Sequence, residues 1–194
     1  MSSAFSICVY CGSRDGALAQ YIQAAQAVGT WIGQHQGQLV YGGGSTGLMG
    51  QVARATHAAG GRVVGVIPQA LVERELANNA CDELIVVHTM HERKRIMADR
   101  CDAFLALPGG IGTFEELFEV WTWRQLGYHH KPIGLLNVAN YYDPLLSFIE
   151  HSLSQAFITA PVRKLLTVGA DPAPLLQTLV QSAGLAAAAQ LDAL

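Results

Sequence analysis

Apolar stretches of strand length alternate with helix-length segments along 194 residues. That alternation predicts an α/β fold: a Rossmann-like, doubly wound parallel sheet in a three-layer α/β/α sandwich, one domain spanning 1–194. Two further observations support the class. Strands such as Val63-Val64-Gly65-Val66-Ile67 and Ala103-Phe104-Leu105-Ala106-Leu107 are almost continuously apolar, so both of their faces must be covered. Glycine-rich turns follow three of the strands, where sheets of this kind bind ligands.

Taken in order, strands are expected at Phe5–Cys11, Gln38–Gly42, Arg62–Pro68, Glu83–His88, Ala103–Pro108, Pro132–Val138 and Leu165–Val168. Helical periodicity fills most of the gaps, at Ala17–Gln34, Leu48–Ala59, Glu92–Arg100, Thr113–Leu126, Pro144–Gln155 and Ala173–Ala183. No linker or repeat interrupts the pattern, and the Ala-rich tail 184–194 is expected to fray. Hydrophobic residues make up 51% of the chain and charged residues 14%, a composition that folds. A net charge of −3 offers no broad basic surface, which argues against nucleic acid as a partner. No stretch is apolar for long enough to span a bilayer. Met1-Ser2-Ser3-Ala4-Phe5 lacks the basic start of a secretory signal, so a cytoplasmic protein is expected. The low charge count also suggests a buried subunit interface, hence a homodimer.

Cys8 and Cys11 form a CxxC pattern inside a strand, where residues three apart point to opposite faces. Buried thiols in a reducing compartment are the better reading than a metal or redox pair. The histidines give no metal set: His91-Glu92-Arg93-Lys94 lacks the second histidine of H-E-x-x-H, and no metal is expected.

Three turns carry the functional signal: Cys11-Gly12-Ser13-Arg14, Gly42-Gly43-Gly44-Ser45-Thr46-Gly47 and Pro108-Gly109-Gly110-Ile111-Gly112-Thr113. Glycines let main-chain N–H groups approach an anion, and the following helix N-terminus adds partial positive charge. The turns should gather on one edge around a phosphate-bearing ligand. The second turn matches G-x-G-x-x-G, but the next strand ends at Pro68-Gln69 without the acid a dinucleotide ribose needs. It is no P-loop either, because Leu48-Met49 stand where Lys-Ser/Thr would be. Read as the nucleophile elbow G-x-S-x-G around Ser45, it would need Asp143 and His151 as partners, yet His151 lies eight residues after Asp143 in a helical pattern and not on a separate strand-end loop.

Arg93 and Lys94 fall near the start of a helix, where basic residues oppose the helix dipole unless an anion is present. A solvated basic face is the rival explanation, since Arg93, Lys94 and Arg95 cannot all point one way. Thr113-x-x-Glu116 reads as a capping box, with Thr113 as N-cap and Glu116 reaching back. Capping is compatible with chemistry. A carboxylate beside an anion-binding turn can stabilise an oxocarbenium-like transition state or align water.

With these residues in view, the chain from about Ile7 to about Thr159 resembles the Lonely Guy (LOG) family, once mislabelled as lysine decarboxylases. It carries that family's P-G-G-x-G-T-x-x-E as Pro108 to Glu116 and its M-x-x-R-K-x-x-M as Met90, Arg93, Lys94 and Met97. The turns Val9–Ser13 and Tyr41–Gly50 are likewise similar. The resemblance implies a phosphoribohydrolase without a cofactor. Its small-molecule substrate is a purine nucleoside 5′-monophosphate, AMP or a cytokinin-type N6-modified AMP, split into free base and ribose 5-phosphate. It also implies Arg93 and Glu116 as the catalytic pair. Substrate-binding positions implied with them are Glu75, Lys94, Gly110, Ile111, Gly112, Thr113, Glu115 and Thr122, with Gly12, Ser13, Gly43, Gly44 and Met90 around them. Trp121, Trp123 and Tyr128 are candidates for packing between subunits. A carrier of a phosphorylated nucleotide or pterin cofactor is the alternative.

Overall fold

The structure, a computed structural model, describes residues 3–72 and 81–185. Its strands are β1 (Ser6–Tyr10), β2 (Gln38–Tyr41), β3 (Arg62–Pro68), β4 (Glu83–Val87), β5 (Ala103–Ala106), β6 (Ile133–Leu136) and β7 (Leu166–Gly169). They form one sheet in the order β4-β3-β2-β1-β5-β6-β7. Every pairing is parallel, for example Cys8 beside Val40 on one side and Phe104 on the other. The helices are α1 (Ala19–Gln34), α2 (Gly47–Ala58), α3 (Met90–Asp99), α4 (Ile111–Gln125), α5 (Asp143–Ser154), the short α6 (Ala160–Arg163) and α7 (Pro172–Ser182). The sequence gives little sign of α6, whose single turn is too short for periodicity to register.

Strand alternation divides the core into two clusters. Ile7, Val9, Leu39, Tyr41 and Leu105 point to the layer of α1, α2 and α7. Cys8, Tyr10, Val40, Phe104 and Ala106 point to the layer that contains Met97 of α3, Leu117 and Trp121 of α4, and Ile149 of α5. Cys8 and Cys11 therefore lie on opposite faces, both buried and both free. Gly29 and Gly33 let α1 sit directly on α2: a β-carbon at Gly29 would fall 2.8 Å from Ala55 Cβ, and one at Gly33 2.5 Å from Ala59 Cβ.

The chain builds outward from β1 through β2, β3 and β4, then returns to the other side of β1 with β5. The strand order reverses between β1 and β5, the place where open α/β sheets hold their ligands. No helix among the described residues is long and apolar enough to cross a membrane. Residues 186–194, most of the tail expected to fray, lie outside the described residues.

Candidate active site

The turns after β1, β2 and β5 meet at the switch point. The Gly12 N–H donates to the Pro108 carbonyl (3.0 Å), and the Met49 N–H at the start of α2 donates to the Gly12 carbonyl (3.3 Å). Gly109 is needed for this closeness, because a β-carbon there would lie 2.9 Å from Gly12 N and 2.7 Å from Thr113 Cβ. Gly43 takes φ +77°, which favours glycine. A β-carbon on it would press against Ile67 and Leu84, so Gly43 shapes the turn from behind, and Gly44 follows it in the chain. Neither lines the cavities described next.

A cavity of about 220 Å³ opens at this point, lined by Gly12, Ser13, Met49, Arg93, Gly110 to Thr113 and Glu116. Arg93 and Glu116 thus come from different helices to one small space. Arg93 is buried at 6% exposure. Its Nε donates to the Val66 carbonyl (3.1 Å) and its Nη2 to the Gly42 carbonyl (3.0 Å). Its Nη1 lies 3.8 Å from the sulfur of Met90. Two main-chain acceptors at the ends of β2 and β3 therefore aim a guanidinium that burial alone would disfavour.

Thr113 and Glu116 do not form the capping box that their spacing predicts. Helix α4 begins at Ile111, its N-cap is Gly110, and no side chain caps it. Thr113 is the third helical residue, buried at 4% exposure. Glu116 therefore stands one turn inside the helix and does not close a box. Its carboxylate is close enough to the C-terminal end of β1 to act on Cys11. Burial chiefly, and then the negative charge of Glu116, push that thiol upward. A real capping box sits at the other helix: Thr89 accepts from the Glu92 N–H (3.1 Å), and Glu92 accepts from the Thr89 N–H (3.1 Å). This box starts α3 at Met90, two residues earlier than the sequence periodicity suggests, so Arg93 and Lys94 occupy its fourth and fifth positions.

Lys94 does not reach the small cavity. Its ammonium sits between Glu115 Oε1 (2.6 Å) and Glu119 Oε1 (2.9 Å). Thr122 is exposed and donates to the Phe118 carbonyl (2.7 Å). Met90 is 41% exposed and Ile111 86%. Glu75 lies outside the described residues.

A larger cleft of about 750 Å³ shares Gly12, Ser13, Gly110 and Ile111 with the small cavity and adds Arg14, Tyr21, Leu48 and Tyr141. Tyr141 donates to the Gly109 carbonyl (2.5 Å), and its ring meets Tyr21 edge-on with centroids 5.6 Å apart. No sequence motif marks Tyr21 or Tyr141. Arg14 was legible as the neighbour of Ser13, whereas Tyr141 arrives through a 3₁₀ turn at Val138–Asn140 that carries no motif.

The rival sites do not assemble. Ser45 follows β2, while Asp143 and His151 share α5, where eight residues of helix separate them by about 12 Å. Trp121 is core, 4% exposed, with its indole N–H on the Val162 carbonyl (3.0 Å), and Trp123 packs against the same cluster. Of the three aromatic candidates for a subunit contact only Tyr128 is well exposed. The outer face of α4 instead presents Ile111 and Phe118, with Leu126 just beyond.

A family profile described as possible lysine decarboxylase matches residues 49–179. Over 173 residues the chain is 47% identical to cytokinin riboside 5′-monophosphate phosphoribohydrolase LOG2 of Arabidopsis thaliana, covering 89% of this chain and 81% of that one. Over 160 residues it is 52% identical to cytokinin riboside 5′-monophosphate phosphoribohydrolase LOG of Oryza sativa subsp. japonica, covering 82% and 66%. Among solved structures it resembles the molybdenum cofactor binding protein of Rippkaea orientalis, with a TM-score of 0.70 and 22% identity over 94% of this chain and 98% of that one. The Moco carrier protein of Chlamydomonas reinhardtii matches with a TM-score of 0.69 and 22% identity over 92% and 97%. At that identity the carriers share the fold alone.

Proposed function

The chain belongs to the LOG family, matched as possible lysine decarboxylase, and from that premise we propose how its cleft hydrolyses a purine nucleoside 5′-monophosphate. Its relatives are named for cytokinin riboside 5′-monophosphates, and the substrates proposed here are those N6-modified nucleotides, AMP, or both. The carrying observation is the meeting of Arg93 and Glu116 in one small cavity beside the glycine turns.

The 5′-phosphate rests on main-chain N–H groups of Gly110 to Thr113 at the start of α4, with the Gly12–Ser13 turn opposite. The helix dipole and the lack of a side-chain cap there support an anion site. Arg93 is aimed by the carbonyls of Gly42 and Val66 and holds the sugar phosphate in place. As the C1′–N9 bond of the substrate breaks, positive charge grows on the sugar, and the Glu116 carboxylate stabilises it. The same carboxylate orients a water whose oxygen bonds to C1′. That water passes one proton, by way of the Glu116 carboxylate, to the departing base, so its hydroxyl ends on C1′ and free base and ribose 5-phosphate remain. Glu115, Thr122, Met90, Glu75, Gly43 and Gly44 are proposed to complete or shape the substrate site, and Lys94 to act on it through its bond to Glu115.

We also infer a homodimer through the outer face of α4, where Ile111, Phe118 and Leu126 form an exposed apolar stripe. Four free cysteines support a reducing, cytoplasmic setting.

The test is incubation with AMP and with isopentenyladenosine monophosphate, followed by chromatography for free base. Glu116→Gln should lose about 10²-fold or more in kcat while melting near the parent temperature, and Arg93→Ala should lose as much while melting lower, because the Val66 and Gly42 carbonyls lose their donor; both are assayed well below their melting temperatures. A folded variant of either kind that releases base at the parent rate would overturn the assignment. A wild-type protein that returns only intact nucleotide would favour a carrier instead.

A further inference from the structure

The two helices that bring the proposed pair together rest on different strands. Helix α3 packs on β3 and β4, α4 packs on β1, and β2 lies between those strands in the sheet. The backbones of α3 and α4 approach at few points. Yet Arg93 and Glu116 must be held to a fraction of an ångström for the chemistry to proceed.

The side chains next to that pair supply the connection. On α3, Arg93 turns toward the sheet and Lys94 turns toward α4. On α4, Glu116 turns toward the cavity and Glu115 turns toward Lys94. Glu119, one turn further along α4, closes on the same ammonium. The Lys94 side chain is only 10% exposed and that of Glu119 23%, whereas Glu115 is 50% exposed. Two carboxylates four residues apart on a helix repel each other, and a cation between them removes that cost. Burial opposes the charge on Lys94, but the hydrogen bonds to Glu115 and Glu119 outweigh it and hold the ammonium above its ordinary pKa.

We propose that Glu119 is a positioning residue: through Lys94 it clamps α3 to α4 and so fixes the separation of Arg93 and Glu116. The proposal rests on the reading of those two as the reacting pair. Glu115, the more exposed arm, can swing to substrate while Glu119 keeps its hold.

A clamp acts on kcat and leaves substrate affinity nearly intact. Glu119→Gln should therefore lower kcat for base release by about tenfold or more, with KM within about twofold and a melting temperature near the parent's. The discriminating variant exchanges the charges, Lys94→Glu with Glu119→Lys. If Lys94 serves the clamp, the double variant recovers most of the kcat that Lys94→Glu alone loses. If Lys94 instead holds substrate directly, the exchange recovers nothing and KM stays high. Parent-like kcat in folded Glu119→Gln, or no recovery in the double variant, overturns the proposal. Arg93→Ala and Glu116→Gln run in parallel keep the outcomes apart: full activity in those two sinks the catalytic pair itself, whatever Glu119 does.

Discussion

Replacing Gly42 with alanine adds one methyl group where the guanidinium of Arg93 lies. The backbone of Gly42 is outside the positive-φ region, so alanine meets no conformational strain there. The conflict is with the side chain: the new β-carbon would overlap Arg93 Nη2 outright, would lie 3.2 Å from its Cζ and 3.1 Å from Met49 Sδ. Comfortable contact needs about 3.5–4.0 Å, so the guanidinium must shift by about 1 Å or more. That shift strains the bonds to the Gly42 and Val66 carbonyls (3.0 and 3.1 Å). Hydrogen bonds from a charged group contribute about 1.5–3 kcal/mol each, and losing the alignment of one costs kcat/KM about 10- to 150-fold. A misplacement of that size independently predicts a loss of about 10²-fold. The assay is base release from AMP, measured beside circular dichroism and thermal melting. A folded Gly42→Ala protein with kcat/KM within twofold of the parent would show that the seat of Arg93 is irrelevant to turnover.

Gly109→Ala pushes a methyl group against Gly12 N (2.9 Å) and Thr113 Cβ (2.7 Å), and should raise KM for the nucleotide several-fold by spreading the phosphate cradle; unchanged KM refutes that cradle. Tyr142→Phe removes a buried hydroxyl that donates to the Leu107 carbonyl (2.6 Å), costing about 1 kcal/mol. A chain of this size should then melt about 2–4 °C lower with kcat unaltered, measured by calorimetry beside base release. Glu92 is held below the usual carboxylate range by the N–H groups of His88 and Thr89, and Glu83 by its bond to Arg100. For both, the unfolded chain binds more protons, so stability is fully present above the unfolded value near 4.5 and falls as pH drops below it. Glu92→Gln should flatten part of that decline in urea titrations run across pH 3–6, a range of roughly three units around that value. Phe118→Asp should convert a dimer to a monomer in sedimentation equilibrium, and a parent that is already monomeric refutes the proposed interface.

The sheet was legible because its buried strands are nearly continuous apolar runs and its turns are spelled in glycine. The gathering of the three turns on one edge follows once a parallel sheet is granted, whereas the approach of Arg93 to Glu116 depends on how α3 and α4 lie across it. What sequence could not decide was where each helix begins. Thr89-x-x-Glu92 and Thr113-x-x-Glu116 have the same capping spelling, and only one caps. The difference lies in how the chain leaves the preceding strand. Gly109 and Gly110 turn so soon after β5 that α4 has already started by Thr113. The clamp at Lys94 was equally hidden, because it depends on which helix lies across from α3, a tertiary fact. The aromatic residues of α4 misled for a related reason: Trp121 lies a fraction of a turn from the exposed face, and the indole found a carbonyl in the chain after α5.

The central position of β1 constrains how this protein can be assembled. The earliest of these seven strands to be made borders β2 on one side and waits for β5 on the other, with nearly one hundred residues of chain between β1 and β5. Until β5 docks, one edge of β1 offers unpaired main-chain groups, and the halves of the proposed active-site crevice remain on separate pieces of the chain. A ribosome-bound nascent chain that stops before Ala103 would therefore carry Arg93 without a partner carboxylate. Competence for nucleotide should appear abruptly, when the return strand closes the seam, and not grow by degrees as synthesis proceeds.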